Sequence, residues 1–394
     1  MVQLSRRAAR ELQKGGASEV WARIMGLVTP EIIDLGQGYP DLAGSDVARK
    51  KASEVLLDES KPRLNQYSPV PGNVTLTHAL AKFYSPKMGQ EIIPGSNVVV
   101  AASGTEALYC AIMSIINPGD EVIIFEPYFP WYAPFVRLAG GEARIIELKA
   151  PKFELPIDEL REIAAGPKVK AIIFNTPHNP TGHVATPEEI QALADVCIEN
   201  DIALISDEVY ESCIFDGHKH LRVGALPGMP ERTVTIGSAS KMFNLTGWRV
   251  GWALGPADWL GGFKALHSYI TYCAPTPLQV GVADALENDT ATELVVSKMF
   301  ASNAHILGAA LEALGVEVIL PEGGYFLIAD VAKTGKSDTE FVEWLVKTKG
   351  VAAVPMSVFY QDPPAGTTKR CTLVRFAICK QEDTIAKACE RLRK

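Results

Sequence analysis

Residues 238–252 read Ser-Ala-Ser-Lys-Met-Phe-Asn-Leu-Thr-Gly-Trp-Arg-Val-Gly-Trp, and the interpretation of the whole chain starts from them. Lys241 lies in a turn of small and hydroxylated residues, and Arg249 follows eight positions later. A lysine amine becomes a useful nucleophile when its surroundings lower its pKa, and it then forms a Schiff base with an aldehyde. The hydroxyls of Ser238 and Ser240 and the guanidinium of Arg249 suit a phosphate group. The stretch therefore predicts a site for an aldehyde that also carries a phosphate.

The ligand that combines these two groups is pyridoxal 5′-phosphate (PLP), and we expect this cofactor to bind here. The alternative interpretation of the same stretch is a surface turn with an ordinary lysine. A cofactor site needs polar groups from several elements, so the remaining turns of the chain decide between the two.

The size and charge of the chain limit its class. Its 394 residues, 47% of them hydrophobic, exceed most single compact cores and predict two domains. A net charge of −8 argues against nucleic acid as the main partner. Because no apolar run reaches the roughly 18–20 residues that cross a bilayer, we expect no membrane partner.

Cysteine usage and the N-terminal residues bear on the cellular compartment. Seven cysteines, an odd number without a Cys-x-x-Cys pair, indicate neither a disulfide framework nor a zinc site and favour a reducing, cytoplasmic setting. The first ten residues lack the apolar region of a secretion signal, although their three arginines and one serine leave an organelle transit segment open.

Short apolar strands alternate with helical segments from residue 97 to about 237, and one more strand follows. This alternation predicts an α/β domain with a largely parallel sheet. Ligands of such sheets bind beyond the carboxyl ends of the strands. The predicted strands are 98–100, 121–125, 143–148, 169–174, 202–206, 233–236 and 249–254.

Polar or aromatic turns follow several of these strands. Ser103-Gly104-Thr105 opens a helix and forms either an anion site or a plain helix cap. The aromatic turn 126–132 either belongs to the core or stacks on a flat ring. Asn179 lies between two X-Pro steps, which make a rigid turn. Asp207 either caps a helix or pairs with a pyridinium nitrogen.

Helices predominate after about residue 255. We expect a long helix over 284–313, a strand over 323–330, a helix over 338–349 and a strand over 372–378. The last strand contains Arg375 among apolar residues. A buried arginine is either half of an internal salt bridge or a fork for a substrate carboxylate.

Together these motifs resemble the class I/II aminotransferases of the fold-type I PLP enzymes. The resemblance runs almost end to end. It is carried by Asn179-Pro180-Thr181-Gly182, Asp207-Glu208-Val209-Tyr210, Ser238-Ala239-Ser240-Lys241 with Arg249, and Arg375. It implies an α/β fold with a large domain, built on a mostly parallel seven-stranded sheet, and a smaller α/β domain. The implied divisions are an N-terminal arm with part of the small domain at 1–45, the large PLP-binding domain at 46–283 and the small C-terminal domain at 284–394.

The resemblance also implies roles for the polar residues. Lys241 resembles the lysine that holds PLP and later moves protons. Asp207 resembles the partner of the pyridine nitrogen, whose charge keeps that nitrogen protonated. Asn179 and Tyr210 resemble the residues that hydrogen-bond the phenolic oxygen of the ring. Arg375 resembles the residue that binds the α-carboxylate, and Asn179 lies in the same substrate site.

Further positions of the family's site match this chain. Phe129 resembles the residue that stacks on the ring, and Gly38 matches a backbone position that lines the substrate pocket. Tyr67 resembles the residue that reaches the phosphate of the neighbouring subunit, which implies a homodimer with shared sites. The residues that would hold the phosphate are Gly104, Thr105, Ser238 and Arg249.

Within the family, the chain resembles the branch of kynurenine aminotransferases, glutamine transaminase K and methionine aminotransferases. Leu35-Gly36-Gln37-Gly38-Tyr39-Pro40-Asp41 and Thr276-Pro277-Leu278-Gln279 carry that resemblance, and Thr105 departs from it where kynurenine enzymes often have an aromatic residue. No second arginine for a side-chain carboxylate is evident. Apolar or aromatic substrate side chains are suggested by Tyr39, Trp131, Tyr132 and Phe359.

The implied function is transfer of an amino group from an α-amino acid to a 2-oxo acid by ping-pong kinetics. The alternative on the same fold is a C–S β-lyase that acts on cysteine conjugates. An idle PLP-fold regulator is disfavoured because there is no room for a DNA-binding extension before Gly36. A nicotinamide dehydrogenase is disfavoured because Gly36-Gln37-Gly38 lacks the third fingerprint glycine.

Overall fold

The computed structural model describes residues 3–13, 15–215, 217–289, 291–361 and 371–394. The helices are α1 (Arg6–Gln13), α2 (Gly15–Met25), α3 (Asp46–Leu57), α4 (Val74–Met88), α5 (Gly104–Met113), α6 (Tyr132–Leu138), α7 (Ile157–Ala164), α8 (Pro187–Glu199), α9 (Ala239–Met242), α10 (Ala257–Ile270), α11 (Thr276–Asn288), α12 (Ala291–Glu312), α13 (Asp338–Lys349) and α14 (Glu382–Arg393). The strands are β1 (Ile33–Asp34), β2 (Val98–Ala101), β3 (Glu121–Glu126), β4 (Glu142–Glu147), β5 (Val169–Asn175), β6 (Ala203–Asp207), β7 (Thr233–Ser238), β8 (Gly251–Leu254), β9 (Glu317–Ile319), β10 (Phe326–Asp330), β11 (Val351–Ala352), β12 (Val354–Pro355) and β13 (Leu373–Ala377).

Seven strands form the central sheet, in the order β2-β8-β7-β6-β5-β3-β4. Neighbouring strands pair in parallel except β8, which is antiparallel to both β2 and β7. All four residues of β2 and all six of β7 are buried. Helices cover both faces of a parallel sheet, so its strands consist mainly of apolar and β-branched residues. The structure therefore confirms the predicted mostly parallel seven-stranded sheet.

The carboxyl ends of the parallel strands meet at one edge of this sheet. Asn175, Asp207 and Ser238 are the last residues of β5, β6 and β7. The α5 helix starts at Gly104, three residues after the end of β2, and the side chain of Ser103 accepts a hydrogen bond from the backbone N of Glu106. The turns that the sequence singled out consequently lie side by side.

A second region contains an antiparallel sheet of the order β12-β13-β10-β9. The β1 strand pairs in parallel with β11, with Ile33 opposite Val351, so the N-terminal segment joins the C-terminal part of the chain. Phe300, Phe341 and Leu392 of α12, α13 and α14 belong to one buried cluster with residues of β10 and β13. The domain boundaries at 45/46 and 283/284 stay a prediction.

The predicted helix over 284–313 is wrong, because the structure divides it between α11 and α12. Asp289 ends α11 in a non-helical conformation, with φ −100° and ψ 84°. Its carboxylate accepts hydrogen bonds from the backbone N and the hydroxyl of Thr292, at 2.9 and 2.7 Å. These bonds cap the start of α12, and side chains that bind nearby backbone groups favour such breaks over a continuous helix.

A strand predicted to begin at Arg249 begins instead at Gly251. Arg249 adopts the left-handed conformation, with φ 55°, and the backbone therefore turns before the strand starts. Within the described ranges, no helix combines the length and the apolar character that crossing a membrane requires. The expected cytoplasmic location stays a prediction.

Candidate active site

A cavity of about 470 Å³ opens at the carboxyl edge of the central sheet. Its lining includes the predicted site residues except Tyr67, namely Gly38, Gly104, Thr105, Phe129, Asn179, Asp207, Tyr210, Ser238, Lys241, Arg249 and Arg375. Tyr67 is 82% exposed, and its ring packs edge-on against Tyr272 at 5.4 Å between centroids. The fold thus gathers residues that are spread over more than three hundred positions of the chain.

Lys241 projects from the short helix α9, directly after β7. Its Nζ donates a hydrogen bond to the backbone O of Gly38 at 3.2 Å. The same atom lies 5.5 Å from the ring centroid of Tyr210 and 5.0 Å from that of Tyr325. Burial among these groups lowers the pKa of the Lys241 amine to about 8. A larger fraction of the amine is therefore neutral and nucleophilic near neutral pH than for an exposed lysine.

Asp207 lies at the carboxyl end of β6 and is buried. The hydroxyl of Tyr132 donates a hydrogen bond to its Oδ2 at 2.6 Å, and the backbone N of Val209 donates to Oδ1 at 3.3 Å. Burial raises the pKa of the Asp207 carboxyl to about 6, although both hydrogen bonds oppose the shift. A carboxylate in this position is suited to pair with a protonated ring nitrogen.

Tyr132 is a site residue whose contact with Asp207 sequence reasoning did not find. The sequence suggested only that it contributes an aromatic wall to a substrate pocket. The hydroxyl group was the available signal, because a buried tyrosine hydroxyl usually has a hydrogen-bond partner. The partner itself lies 75 positions later and is set by the order of the strands.

Arg375 is buried in the middle of β13 and has hydrogen bonds to two neutral oxygens. Its Nη1 donates to Oδ1 of Asn179 at 3.0 Å, and its Nη2 donates to the backbone O of Gly36 at 3.1 Å. Its guanidinium carbon lies 3.8 and 4.5 Å from the ring centroids of Phe326 and Phe359. Burial lowers its pKa to about 10.

The guanidinium retains capacity for an anion. Among the described residues, no carboxylate forms an ion pair with Arg375, and its buried Nε has no hydrogen-bond partner. Of the two interpretations of this arginine, the structure therefore favours a fork for a carboxylate from outside the chain. The fork is oriented by the aromatic rings on its two sides.

The turn that carries Asn179 is tied to the sheet edge. The backbone N of Asn179 donates to Oδ1 of Asn175 at 2.7 Å, and the Nδ2 of Asn175 donates to the backbone O of Asp207 at 2.8 Å. The ends of β5 and β6 thereby position the amide of Asn179 between Asp207 and Arg375.

One end of the cavity has the composition of a phosphate site. The α5 helix presents its N-terminal amides there, starting with Gly104 and Thr105. A Cβ atom on Gly251 would lie 2.3 Å from the backbone N of Gly104, so only glycine permits this close approach of β8. Arg249 lines the same cavity, and the hydroxyl of Ser240 is buried there without a partner among the described residues.

These groups fit PLP. An amine for the aldehyde, a carboxylate for the ring nitrogen and an unsatisfied hydroxyl beside a helix N-terminus for the phosphate lie in one cavity. Ser240, which the sequence analysis named only among the phosphate-compatible hydroxyls, belongs in this set.

The remaining walls of the cavity are largely aromatic. Trp131 stacks on Phe129 with ring centroids 4.8 Å apart and an angle of 16° between planes. Trp21 reaches the cavity from α2, and Phe326 lines it from β10. A Cβ atom on Gly38 would lie 2.6 Å from Phe326 Cζ, which explains why a glycine occupies that position. The sequence analysis did not identify Trp21 or Phe326 as site residues.

Comparisons with known proteins agree with this geometry. The family model for aminotransferase class I and II matches residues 30–392. A probable N-succinyldiaminopimelate aminotransferase of Mycobacterium tuberculosis is 38% identical over 385 residues, which cover 95% of this chain and 96% of that protein. A solved structure of the N-succinyldiaminopimelate aminotransferase from that organism matches with a TM-score of 0.91 and 36% identity, over 100% of this chain and 99% of the other.

Two further similar proteins are named for other amino acids. Kynurenine–oxoglutarate transaminase 1 of Homo sapiens is 34% identical over 406 residues, which cover 95% of this chain and 95% of that protein. An Escherichia coli protein with a methionine aminotransferase function is 32% identical, with a TM-score of 0.89 over 100% of this chain and 99% of the other.

The fold and the family match define a fold-type I, PLP-dependent enzyme. The chain belongs to the class I and II aminotransferases, and its reaction transfers an amino group between amino acids and oxo acids. The family, the fold class, the enzyme class and the cofactor predicted from the sequence are confirmed.

Proposed function

We propose that this aminotransferase takes its amino group from amino acids with apolar, aromatic or sulfur-containing side chains and passes it to a 2-oxo acid in a ping-pong cycle. The observation that carries the proposal is the composition of the cavity wall. Its cations are Lys241, Arg249 and Arg375, and its rings include those of Trp21, Tyr39, Trp131 and Phe359. If these cations serve the cofactor and the α-carboxylate, no cation among the described lining residues is left for a side-chain carboxylate.

We assign the proton transfer to the Nζ of Lys241. PLP, when bound, supplies an aldehyde that takes up the amino group and a ring that withdraws electrons from the α-carbon. Lys241 would hold the cofactor at rest, and its freed amine would then accept the proton from the substrate α-carbon. A pKa of about 8 suits a general base that works near neutral pH.

The other polar residues hold the reactants in place. Asp207 pairs with the ring nitrogen, and Tyr210 and Asn179 hydrogen-bond the phenolic oxygen. Arg375 binds the α-carboxylate in the fork between its two aromatic neighbours. The α5 N-terminus would hold the phosphate, together with Gly104, Thr105, Ser238, Ser240 and Arg249.

We also propose a homodimer in which each subunit lends Tyr67 to the phosphate site of the other. The support is its position: Tyr67 lies outside the cavity of its own subunit and is 82% exposed. Other large apolar side chains are exposed as well, including Leu57 at 79% and Tyr269 at 89%. Exposure of this kind is typical of interaction surfaces.

The test is an absorbance titration of the purified, PLP-loaded protein with single amino acids, together with product analysis. We expect methionine and phenylalanine to convert the band of lysine-bound PLP to that of pyridoxamine phosphate. One 2-oxo acid should form per site, and an added 2-oxo acid should reverse the change. Aspartate should react at least about 100-fold less efficiently, because its side-chain carboxylate would be buried unpaired.

The Lys241→Ala variant is the control, and it should show no conversion. Aspartate as the best donor would contradict the proposed side-chain class. Steady release of pyruvate and ammonia from a cysteine conjugate, with an unchanged resting spectrum, would contradict transamination as the main reaction.

A further inference from the structure

Lys380 is a buried lysine to which the proposed chemistry gives no role. It lies five positions after Arg375, just beyond β13, and is only 3% exposed. Its Nζ donates a hydrogen bond to the backbone O of Tyr39 at 2.8 Å and lies 4.5 Å from the centroid of the Tyr39 ring. Among the described residues it forms no ion pair. A buried ammonium usually has a carboxylate partner, so this arrangement calls for an explanation.

The partner of Lys380 belongs to the loop that forms one wall of the cavity. Three cations bond carbonyls of this loop: Arg375 bonds Gly36, Lys241 bonds Gly38 and Lys380 bonds Tyr39. The first two cations have substrate and cofactor as further partners in the proposed function. The contacts described for the Nζ of Lys380 are with this loop alone.

The far end of the loop is fixed from the same side of the molecule. The carboxylate of Asp41 accepts hydrogen bonds from the backbone N of Gln381 and the hydroxyl of Thr384, at 2.6 and 2.7 Å. Lys380 and its neighbours therefore attach the loop to the start of α14. Tyr39 lines the cavity and is 49% exposed, and the Lys380 ammonium lies against its ring.

We propose that Lys380 is a specificity-determining positioning residue, which holds Tyr39 as a rigid wall for large aromatic substrate side chains. The inference rests on the proposed function and deepens it. The ammonium fixes the backbone of Tyr39 through the carbonyl and the ring through a cation–π contact. A small donor such as alanine gains little from that wall, whereas phenylalanine binds against it.

The test replaces the charge and keeps the volume, in the variant Lys380→Met. We expect KM for phenylalanine to rise about 10-fold, the loss of one cation–π contact at a desolvated site. KM for alanine should change by less than about 2-fold, and kcat for both donors should stay within about 2-fold, because the variant weakens side-chain binding equally in the ground state and the transition state. Lys347→Met is the matched control, since Lys347 is 62% exposed in α13, and it should change neither donor.

Binding without turnover gives a second readout. The dissociation constant of 3-phenylpropionate, which lacks the amino group, should rise about 10-fold in Lys380→Met, and that of propionate should not. In the variant Tyr39→Leu the backbone carbonyl remains, so the loop stays attached while the ring is lost. Adding Lys380→Met to Tyr39→Leu should then cause little further loss for phenylalanine, as expected for two residues that act through one contact.

Equal losses for phenylalanine and alanine, or no loss for either, would overturn the inference. If Lys380→Met does not fold, the variant Tyr39→Leu tests the inference instead. It must show the same selective rise in KM for phenylalanine, and its absence would overturn the inference. Failure of the proposed function looks different, since the wild-type enzyme would then convert neither donor. A wild type that converts both donors, with variants that do not discriminate between them, refutes only the role of Lys380.

Discussion

The hydroxyl of Tyr132 opposes the effect of burial on the pKa of Asp207, and the variant Tyr132→Phe tests this. Burial raises the pKa of Asp207, and Glu208 acts in the same direction, while Tyr132 and Lys241 oppose the shift. Without the hydroxyl the pKa should rise by about one more unit, the effect of one hydrogen bond to a charged group. Protonated Asp207 cannot pair with a protonated ring nitrogen, so PLP affinity should begin to fall at a pH about one unit higher. Tryptophan fluorescence, titrated with PLP at several pH values, measures the effect.

Tyr109→Phe is a matched control for this prediction. Tyr109 packs edge-on against Phe135 at 5.3 Å in the same layer of the fold, and its hydroxyl does not contact Asp207. Its loss should leave the pH dependence of PLP affinity unchanged. An identical acid limit in Tyr132→Phe and wild type would show that the hydroxyl does not act on the carboxylate.

Single residues were predictable from sequence where a short motif contains them. Lys241 and Asp207 each stand in a run of a few residues whose chemistry is recognisable without the fold. The contact between Tyr132 and Asp207 joins residues 75 positions apart. The packing of Phe326 against Gly38 joins residues nearly three hundred positions apart. Such contacts depend on strand order and register, which residue types alone do not specify.

His183 links two elements and makes their contact dependent on pH. Its Nε2 lies 2.9 Å from Glu189 at the start of α8, and its Nδ1 lies 3.0 Å from Glu322 before β10. Burial alone would lower its pKa, but the two carboxylates outweigh burial and raise the pKa to about 9. Burial lowers the pKa of the neighbouring His178 to about 3, so His178 stays neutral. The charge of His218 acts on Glu322 and helps to lower the pKa of that carboxyl.

The variant His183→Gln tests this link through stability. Because the pKa of His183 is higher in the folded state than the ordinary value of 6.5, its stabilising effect is complete below pH 6.5 and is lost as pH rises through 9. We therefore expect wild type to exceed His183→Gln in free energy of unfolding by roughly 2–3 kcal/mol more at pH 6 than at pH 10. Urea unfolding followed by tryptophan fluorescence at the two pH values measures the difference.

The control for this experiment is His78→Gln, since His78 is exposed on α4. Its difference from wild type should be small at both pH values. A stability difference between His183→Gln and wild type that does not change with pH would mean that the histidine is neutral in the folded protein.

Helices and strands could be predicted from the sequence wherever a run of one residue class was long enough. The β-branched runs predicted the strands of the central sheet because a strand buried on both faces must be apolar throughout. The break at Asp289 was missed although Glu287-Asn288-Asp289 interrupts the apolar pattern, because polar residues are also common on the exposed face of a continuous helix. The side-chain bonds of Asp289 to Thr292 show where the new helix starts. The reversed direction of β8 was equally hidden, since pattern carries no information on strand direction.

The whole molecule brings the two ends of the chain to one site. The β1 strand pairs with β11, and the loop after it is bonded by Arg375 and Lys380 from the C-terminal part. The sequence indicated a cofactor site on the large sheet, but its completion by an N-terminal loop depends on this pairing. Under the proposed homodimer, Tyr67 would likewise contribute to a cofactor site only when a second copy of the chain is present.

A hybrid dimer tests whether Tyr67 acts on the neighbouring subunit. We expect Tyr67→Ala homodimers to bind PLP roughly 10- to 100-fold more weakly, the effect of one hydrogen bond to a charged group, and Lys241→Ala homodimers to be inactive. In a hybrid of the two variants, the subunit with Lys241 receives an intact Tyr67 from its partner. Random mixing makes half of the dimers hybrid, with one intact site of two, so activity at limiting PLP should recover to about a quarter of wild type.

The outcome shows whether Tyr67 serves the cofactor site of its own subunit or that of the neighbouring subunit. If each tyrosine served its own subunit, the hybrid would contain one site without Lys241 and one without Tyr67, and activity would not recover. A mixture of Lys241→Ala with wild type verifies that hybrids form and that a dead neighbour does not silence the intact site. Native mass spectrometry counts the hybrids directly. Recovery in proportion to their number requires a dimer whose sites are built from both chains, because no rearrangement within one subunit supplies the missing hydroxyl.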